Sequence, residues 1–124
     1  MLHHVSIEID PADSARMVEM WNVLGFERVE APVEIGDWVV WLERANTQVH
    51  LILTPEPKVP ALGHAAVVAD DFEGCVSKLE AAGLTVEPAR ELWGERRAFV
   101  LGPGGHRVEI MAGPPGGANG DRAS

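Results

Sequence analysis

Two stretches of this 124-residue chain carry one pattern twice. His4 and His50 stand 46 positions apart, and His64 and Glu109 stand 45 apart. The neighbourhoods agree as well. Leu2-His3-His4-Val5 answers Leu62-Gly63-His64-Ala65, and Gln48-Val49-His50-Leu51-Ile52 answers Arg107-Val108-Glu109-Ile110-Met111. Trp38-Val39-Val40-Trp41-Leu42 is laid against Arg97-Ala98-Phe99-Val100-Leu101 at the same offset of 59. A duplicated unit of about sixty residues implies two like modules around a pseudo-twofold axis. Equivalent strand positions then converge, and all four of these carry side chains that bind divalent metals. Agreement of register at four positions favours a metal site over isolated structural histidines.

The chain is long enough to bury a core without disulfides or metals as staples. A net charge of -9 argues against nucleic acid or an anionic membrane as partner, since both call for a basic face. No apolar run approaches the length of a spanning helix, and Met1-Leu2-His3-His4 does not open a secretory signal. Cys75 is the single cysteine, which suits a reducing, cytoplasmic setting.

Alternation over Leu2 to Ile9 predicts a strand. Asp10 can cap the helix that follows, with Pro11 in its first turn, Met17, Val18, Trp21 and Leu24 on its apolar face, and Gly25 as its stop. Strands are expected around residues 27–33, 37–44 and 47–54, the last two joined by a tight turn at Ala45-Asn46. Pro55, Pro57 and Pro60 mark residues 55–61 as a stiff linker. The second half repeats the plan: a strand over 63–69, a helix with Phe72, Cys75, Val76, Leu79 and Ala82 on one stripe, then strands over 84–89, 96–101 and 106–111. The expected fold is α+β: two βαβββ modules (1–54 and 62–112, one domain over 1–112) forming a cupped mixed sheet around a central cavity, helices outside. From Gly113 to Ser124 the chain offers nothing to bury, so a disordered tail is expected.

Side chains alternate across a strand, so His4, His50, His64 and Glu109 face away from Val5, Val49, Leu51, Ala65, Val67, Val108 and Ile110, which cover the helices. Ser6, Ile52, Ala66, Val68 and Met111 share the ligand face. His3 points the other way, His106 lies in a turn, and neither is read as a ligand. One of Trp38 and Trp41 must face the cavity. Ser6, Trp38, Arg97, Phe99 and Met111 are the candidate substrate contacts, Arg97 being in phase with Phe99.

At His4-Val5, Val23-Leu24-Gly25-Phe26, Val49-His50-Leu51, Gly63-His64 and the closing Gly102-Pro103-Gly104-Gly105-His106-Arg107-Val108-Glu109-Ile110, the chain resembles the vicinal oxygen chelate superfamily, which contains glyoxalases, bleomycin-resistance proteins and dioxygenases. The resemblance implies a divalent cation (Zn, Ni, Co, Mn or Fe) held by His4, His50, His64 and Glu109. It also implies a homodimer, and the short, stiff Pro55-Pro57-Pro60 linker favours pairing across chains, His4 and His50 of one facing His64 and Glu109 of the other. Bacterial glyoxalase I proteins usually carry Glu or Gln where His50 stands. Extradiol dioxygenases depend on a tyrosine, and this chain has none. Fosfomycin-modifying members use a tyrosine and a lysine, whereas the two lysines here are Lys58 in the linker and Lys78 in a helix.

The reading that follows is a small-molecule enzyme with isomerase or lyase chemistry beside a carbonyl, through a metal-stabilised enediolate, with Glu109 moving a proton. The competing class is a metal-independent protein that sequesters an antibiotic or another small aromatic ligand, for which the acidic surface and four tryptophans speak. Glu109→Gln is nearly isosteric, and removing an uncompensated buried carboxylate is expected to stabilise the metal-free protein.

Overall fold

The computed structural model describes residues 1–116. The chain divides into two compact units, Met1–Ala61 with Pro103–Gly105, and Leu62–Gly102 with His106–Ser124. Each unit carries one four-stranded mixed sheet and one helix, an α+β fold of two like modules.

Module one begins with β1 (His4–Ile9). The Asp10 side chain accepts from the Ala12 N–H at 2.8 Å and starts a 3-10 turn over Pro11–Asp13, which leads into α1 (Ser14–Val23). Gly25, at φ 95°, takes the left-handed conformation that ends the helix, as Gly83 does at 84° in module two. Strands β2 (Glu27–Val29), β3 (Val39–Arg44) and β4 (Thr47–Leu53) follow. The order is β1-β4-β3-β2, with β1 parallel to β4. The expected strand over 27–33 stops at Val29, because Pro32 cannot donate to a ladder and a 3-10 turn forms over Val33–Ile35.

Met17, Met20, Trp21 and Leu24 bury against Val40, Leu42, Val49 and Leu51. Four of these eight are wholly inaccessible, and a Leu51→Ala truncation here would cost about 2–5 kcal/mol. The Trp21 ring meets Phe26 edge-on at 5.1 Å. The proline-rich segment has no regular structure, but its Lys58 N–H donates to Glu8 Oε1 at 2.9 Å and so ties it to β1.

Module two repeats the order as β5-β8-β7-β6, with β5 (Ala65–Val68), α2 (Phe72–Ala81), β6 (Thr85–Leu92), β7 (Glu95–Leu101) and β8 (Arg107–Met111). Asp71 caps α2 by accepting from the Gly74 N–H at 3.0 Å. Cys75, Leu79 and Leu84 bury against Val67, Ala98, Val100, Val108 and Ile110. At the start of the expected tail Gly113 is buried, and its carbonyl accepts from Trp93 Nε1 at 3.1 Å. Residues 117–124 lie outside the described residues.

Candidate functional site

Strand register decides which side chains share a face. In module one Ser6 pairs with His50 and His50 pairs with Trp41, so His4, Ser6, Gln48, His50, Trp41 and Glu43 stand on the face opposite α1. The His50 ring lies between two others, 4.0 Å from His4 at 17° and 4.2 Å from Trp41 at 2°. That sandwich leaves His50 only its edges for polar contact. Its Nε2 meets Gln48 Oε1 at 2.8 Å, and Gln48 Nε2 donates to Glu43 Oε1 at 2.8 Å. The Glu43 carboxylate can only accept, which fixes the Gln48 amide and makes His50 Nε2 the donor. His50 Nδ1 is therefore left as a lone pair. Burial pushes the His50 pKa below its ordinary value, and the neighbouring His4 and His3 push the same way. The imidazole is held neutral, the form that binds metal.

His3 does not turn away. Strand β1 starts at His4, so alternation does not govern His3, whose Nδ1 lies 2.9 Å from His4 Nδ1. Trp38 precedes β3 and is half exposed, while Trp41 stacks on His50. A groove of about 900 Å³ opens beside Trp41, lined by Arg28, Val29, Pro32, Asp37 and Val39.

In module two Phe99 pairs with Glu109, Glu109 with Ala66, and Met111 with both Arg97 and Val68. His64 stands one residue before β5, with Nδ1 3.0 Å from the Leu62 carbonyl. A carbonyl only accepts, so Nδ1 carries the proton. Neutral His64 then aims its Nε2 lone pair at Glu109 Oε1, 3.0 Å away, and both atoms are acceptors. The arrangement calls for a positive charge, either a second proton on His64 or a bound cation.

Glu109 is also hydrogen-bonded by Arg97 Nε, at 2.7 Å through Oε2, and Arg97 in turn donates to the Arg90 carbonyl at 2.9 Å. Burial opposes ionisation of Glu109, but the hydrogen bonds and charges of Arg97 and His64 outweigh it and hold the carboxyl below its ordinary value. The carboxylate is therefore compensated. The expectation that losing it would stabilise the metal-free protein is corrected on that ground, because Glu109→Gln would leave a guanidinium only 14% exposed without a counter-charge.

The two modules do not share one offset. Ser6 corresponds to Ala66, His50 to Glu109 and Trp41 to Phe99, so the offset falls from 60 to 59 to 58 across successive strands. Matching Trp38–Leu42 to Arg97–Leu101 at 59 is one residue out. That slip moves a side chain to the opposite face and puts Trp38 where Val39 belongs. Of the pair Trp38 and Trp41 it is Trp41 that stands on the site face, and Gln48, Glu43 and Arg107 stand there too without having been singled out in the sequence. Counting back from the Ala45-Asn46 turn would have found Trp41, since Arg44 opposite Thr47 sets Trp41 opposite His50.

The donor chemistry suits a divalent cation: His4 and His50 offer ring nitrogens in module one, and His64 and Glu109 offer a nitrogen and an oxygen in module two. Each module supplies a pair. Among the described residues no group of three or more His, Cys, Asp or Glu side chains is placed to hold a metal.

Residues 2–110 match the sequence profile of the Glyoxalase/Bleomycin resistance protein/Dioxygenase superfamily. Solved structures agree in fold. A glyoxalase family protein from Bacillus anthracis superposes with a TM-score of 0.78 at 18% identity, over 90% of this chain and 93% of that one. A lactoylglutathione lyase from Agrobacterium tumefaciens gives 0.65 at 20% identity, over 90% and 92%, and the oxidase ChaP-H2 gives 0.69 at 19%, over 94% and 96%. No curated protein sequence matches. Among the described residues no helix is long and apolar enough to cross a membrane.

Proposed function

The chain belongs to the Glyoxalase/Bleomycin resistance protein/Dioxygenase superfamily, and from that premise we propose a metal-dependent enzyme acting beside a substrate carbonyl, by isomerase or lyase chemistry. The observation that carries this reading is the pair His64 Nε2 and Glu109 Oε1, 3.0 Å apart with the other ring nitrogen of His64 against the Leu62 carbonyl, a contact that a proton satisfies in the metal-free protein and that a bound cation would satisfy in its place. Zn, Ni, Co, Mn or Fe all accept such nitrogen and oxygen donors. His4, His50, His64 and Glu109 would hold the ion. When bound, it would polarise the carbonyl and steady negative charge on its oxygen.

The other work falls to the chain. His50, kept neutral and clamped between two rings, presents its Nδ1 without reorganisation. Gln48 and Glu43 set its tautomer from behind, the usual service of groups outside a metal's own ligands. Glu109 is ionised at neutral pH, and as long as Arg97 holds it, it is a weak base. To take a proton from the carbon beside the carbonyl, Glu109 must loosen its bond to Arg97. Ser6, Phe99 and Met111 line the same faces and would pack on a small substrate. The working unit is proposed to be a homodimer, His4 and His50 of one protomer serving with His64 and Glu109 of its partner, in the cytoplasm.

Metal content tests the reading. Protein purified and then supplemented should hold stoichiometric divalent metal, and His64→Ala or Glu109→Gln should lose it. A wild-type protein that stays empty after supplementation would sink the proposal. A second reading, metal-independent binding of a small aromatic ligand, draws on the groove beside Trp41. Binding of a planar aromatic compound by metal-free protein, abolished by Trp41→Ala, would favour it.

A further inference from the structure

Among the described residues Arg107 is a cation without a counter-charge. It stands on β8 two residues before Glu109, on the same face, at the position equivalent to Gln48 before His50. In module one the polar side chain there has a cross-strand partner, since Gln48 faces Glu43 and donates to it at 2.8 Å. In module two the cross-strand neighbour is Leu101, which accepts nothing. Among the described residues the Arg107 guanidinium has no hydrogen bond and no ion pair. It lies over the Phe99 ring, with Cζ 4.5 Å from the centroid.

Nearby arginines are used differently. Arg96, on the opposite face, reaches Glu73 at 2.7 Å and covers Phe72 at 4.9 Å. Arg97 holds Glu109 and the Arg90 carbonyl. In a chain with 19 acidic and 10 basic side chains, and with Glu109 and Glu87 on the same face of the sheet, a partly buried guanidinium that pairs with no carboxylate among the described residues is not explained by a shortage of acids. Lying over Phe99 holds the guanidinium by its apolar side while its N–H groups have no partner among the described residues, and a guanidinium with free N–H groups can take a carboxylate or phosphate through two parallel hydrogen bonds.

Resting on the reading of Glu109 as the reacting centre, we propose that Arg107, held on Phe99, binds an oxyanion group of the substrate. Two residues along a strand span about 7 Å. An anionic group at Arg107 with a carbonyl at Glu109 describes a small molecule whose charged end lies a few bonds from its reacting carbon. The substrate class is thus a small carbonyl compound with a carboxylate or a phosphate, and a neutral analogue should be refused.

Calorimetric titration of the full chain with pyruvate, its neutral amide pyruvamide, and inorganic phosphate tests this, on protein as purified and after metal removal. Wild-type protein should bind at least one of the two anions about tenfold or more tighter than pyruvamide, in both forms. Arg107→Gln should weaken that anion about tenfold, leave pyruvamide unchanged and keep the wild-type metal content. Arg107→Lys keeps the charge without the fork and should fall between, and Arg96→Gln should match wild type. Whichever anion responds to Arg107 identifies the source of the charge. The inference is overturned if neither anion binds wild-type protein, or if both bind Arg107→Gln and Arg107→Lys as tightly as wild type. Its fate is separable from that of the metal. Empty protein that still shows Arg107-dependent anion binding removes the metal and leaves this inference standing, and metal-loaded protein indifferent to Arg107 does the reverse.

Discussion

Glu109→Gln separates the two jobs of one carboxylate. In the metal-free protein Glu109 neutralises Arg97, with the two side chains 10% and 14% exposed. The amide oxygen of Gln can still accept from Arg97 Nε, so the hydrogen bond survives in neutral form while the charge complement is lost. Charge-assisted hydrogen bonds contribute about 1.5–3 kcal/mol, and breaking a buried pair outright costs about 3–5. Keeping one acceptor places the expected loss at roughly 1–3 kcal/mol. A domain of this size loses roughly 3–5 °C of melting temperature per kcal/mol, so a fall of about 5–10 °C is the central expectation. The exposed pair Arg96–Glu73, at 49% and 77%, supplies the control, since Glu73→Gln should move stability by no more than about 0.5 kcal/mol. Both variants are melted by circular dichroism after chelation, and bound metal is measured before it. A Glu109→Gln melting temperature at or above wild type would refute the compensated-carboxylate argument. Unchanged metal content would refute the assignment of Glu109 as a ligand.

The pH dependence of that gap follows from the sign of the shift. Glu109 is held below its ordinary value of 4.5, so its contribution is complete above that pH and is lost as the pH falls through the lower folded-state value. The melting-temperature difference between wild type and Glu109→Gln should therefore narrow as the pH is taken below 4.5, and a gap that widened would contradict it. Ala45 occupies the β3–β4 turn at φ 54°, a conformation costly for alanine. Ala45→Gly should raise stability by about 0.5–1 kcal/mol, checked by urea unfolding, and a loss would show that the turn is not strained. Mixing the His4→Ala and Glu109→Gln proteins, followed by subunit exchange, should restore one metal site per heterodimer if donor pairs meet across chains. No recovery would place each site within one protomer.

Much of the fold could be read from the chain because local signals and the repeat agreed. The apolar stripes on α1 and α2, the aspartates that open each helix segment and the glycines that close it are all local. Strand order was not. Nothing in the alternation of β1 says that it lies parallel to β4 instead of beside β2, because that pairing is settled by non-local burial. The site was legible where it depended on β1, β4, β5 and β8, the strands that carry the repeated motifs. It became illegible on β3 and β7, where the turns differ in length. Two residues, Ala45 and Asn46, separate β3 from β4, whereas five separate β7 from β8, and the repeat offset slips by one between them. A period-two element does not tolerate an error of one, so the uniform offset points to Trp38 while the residue stacked on His50 is Trp41.

The same comparison shows how the two faces have come to differ. Equivalent positions carry His50 and Glu109, Trp41 and Phe99, Gln48 and Arg107, Glu43 and Leu101. In module one every polar group among these answers another: Glu43 orients Gln48, Gln48 orients His50, and the rings hold the imidazole neutral. In module two the chain of partners is broken at Leu101, and the charges run the other way, with Glu109 drawing on Arg97 and His64 while Arg107 is left over. Restoring the acceptor should restore the symmetry. Leu101→Glu places a carboxylate opposite Arg107, as Glu43 stands opposite Gln48. It should close the guanidinium to an incoming oxyanion while leaving the Glu109–Arg97 pair intact.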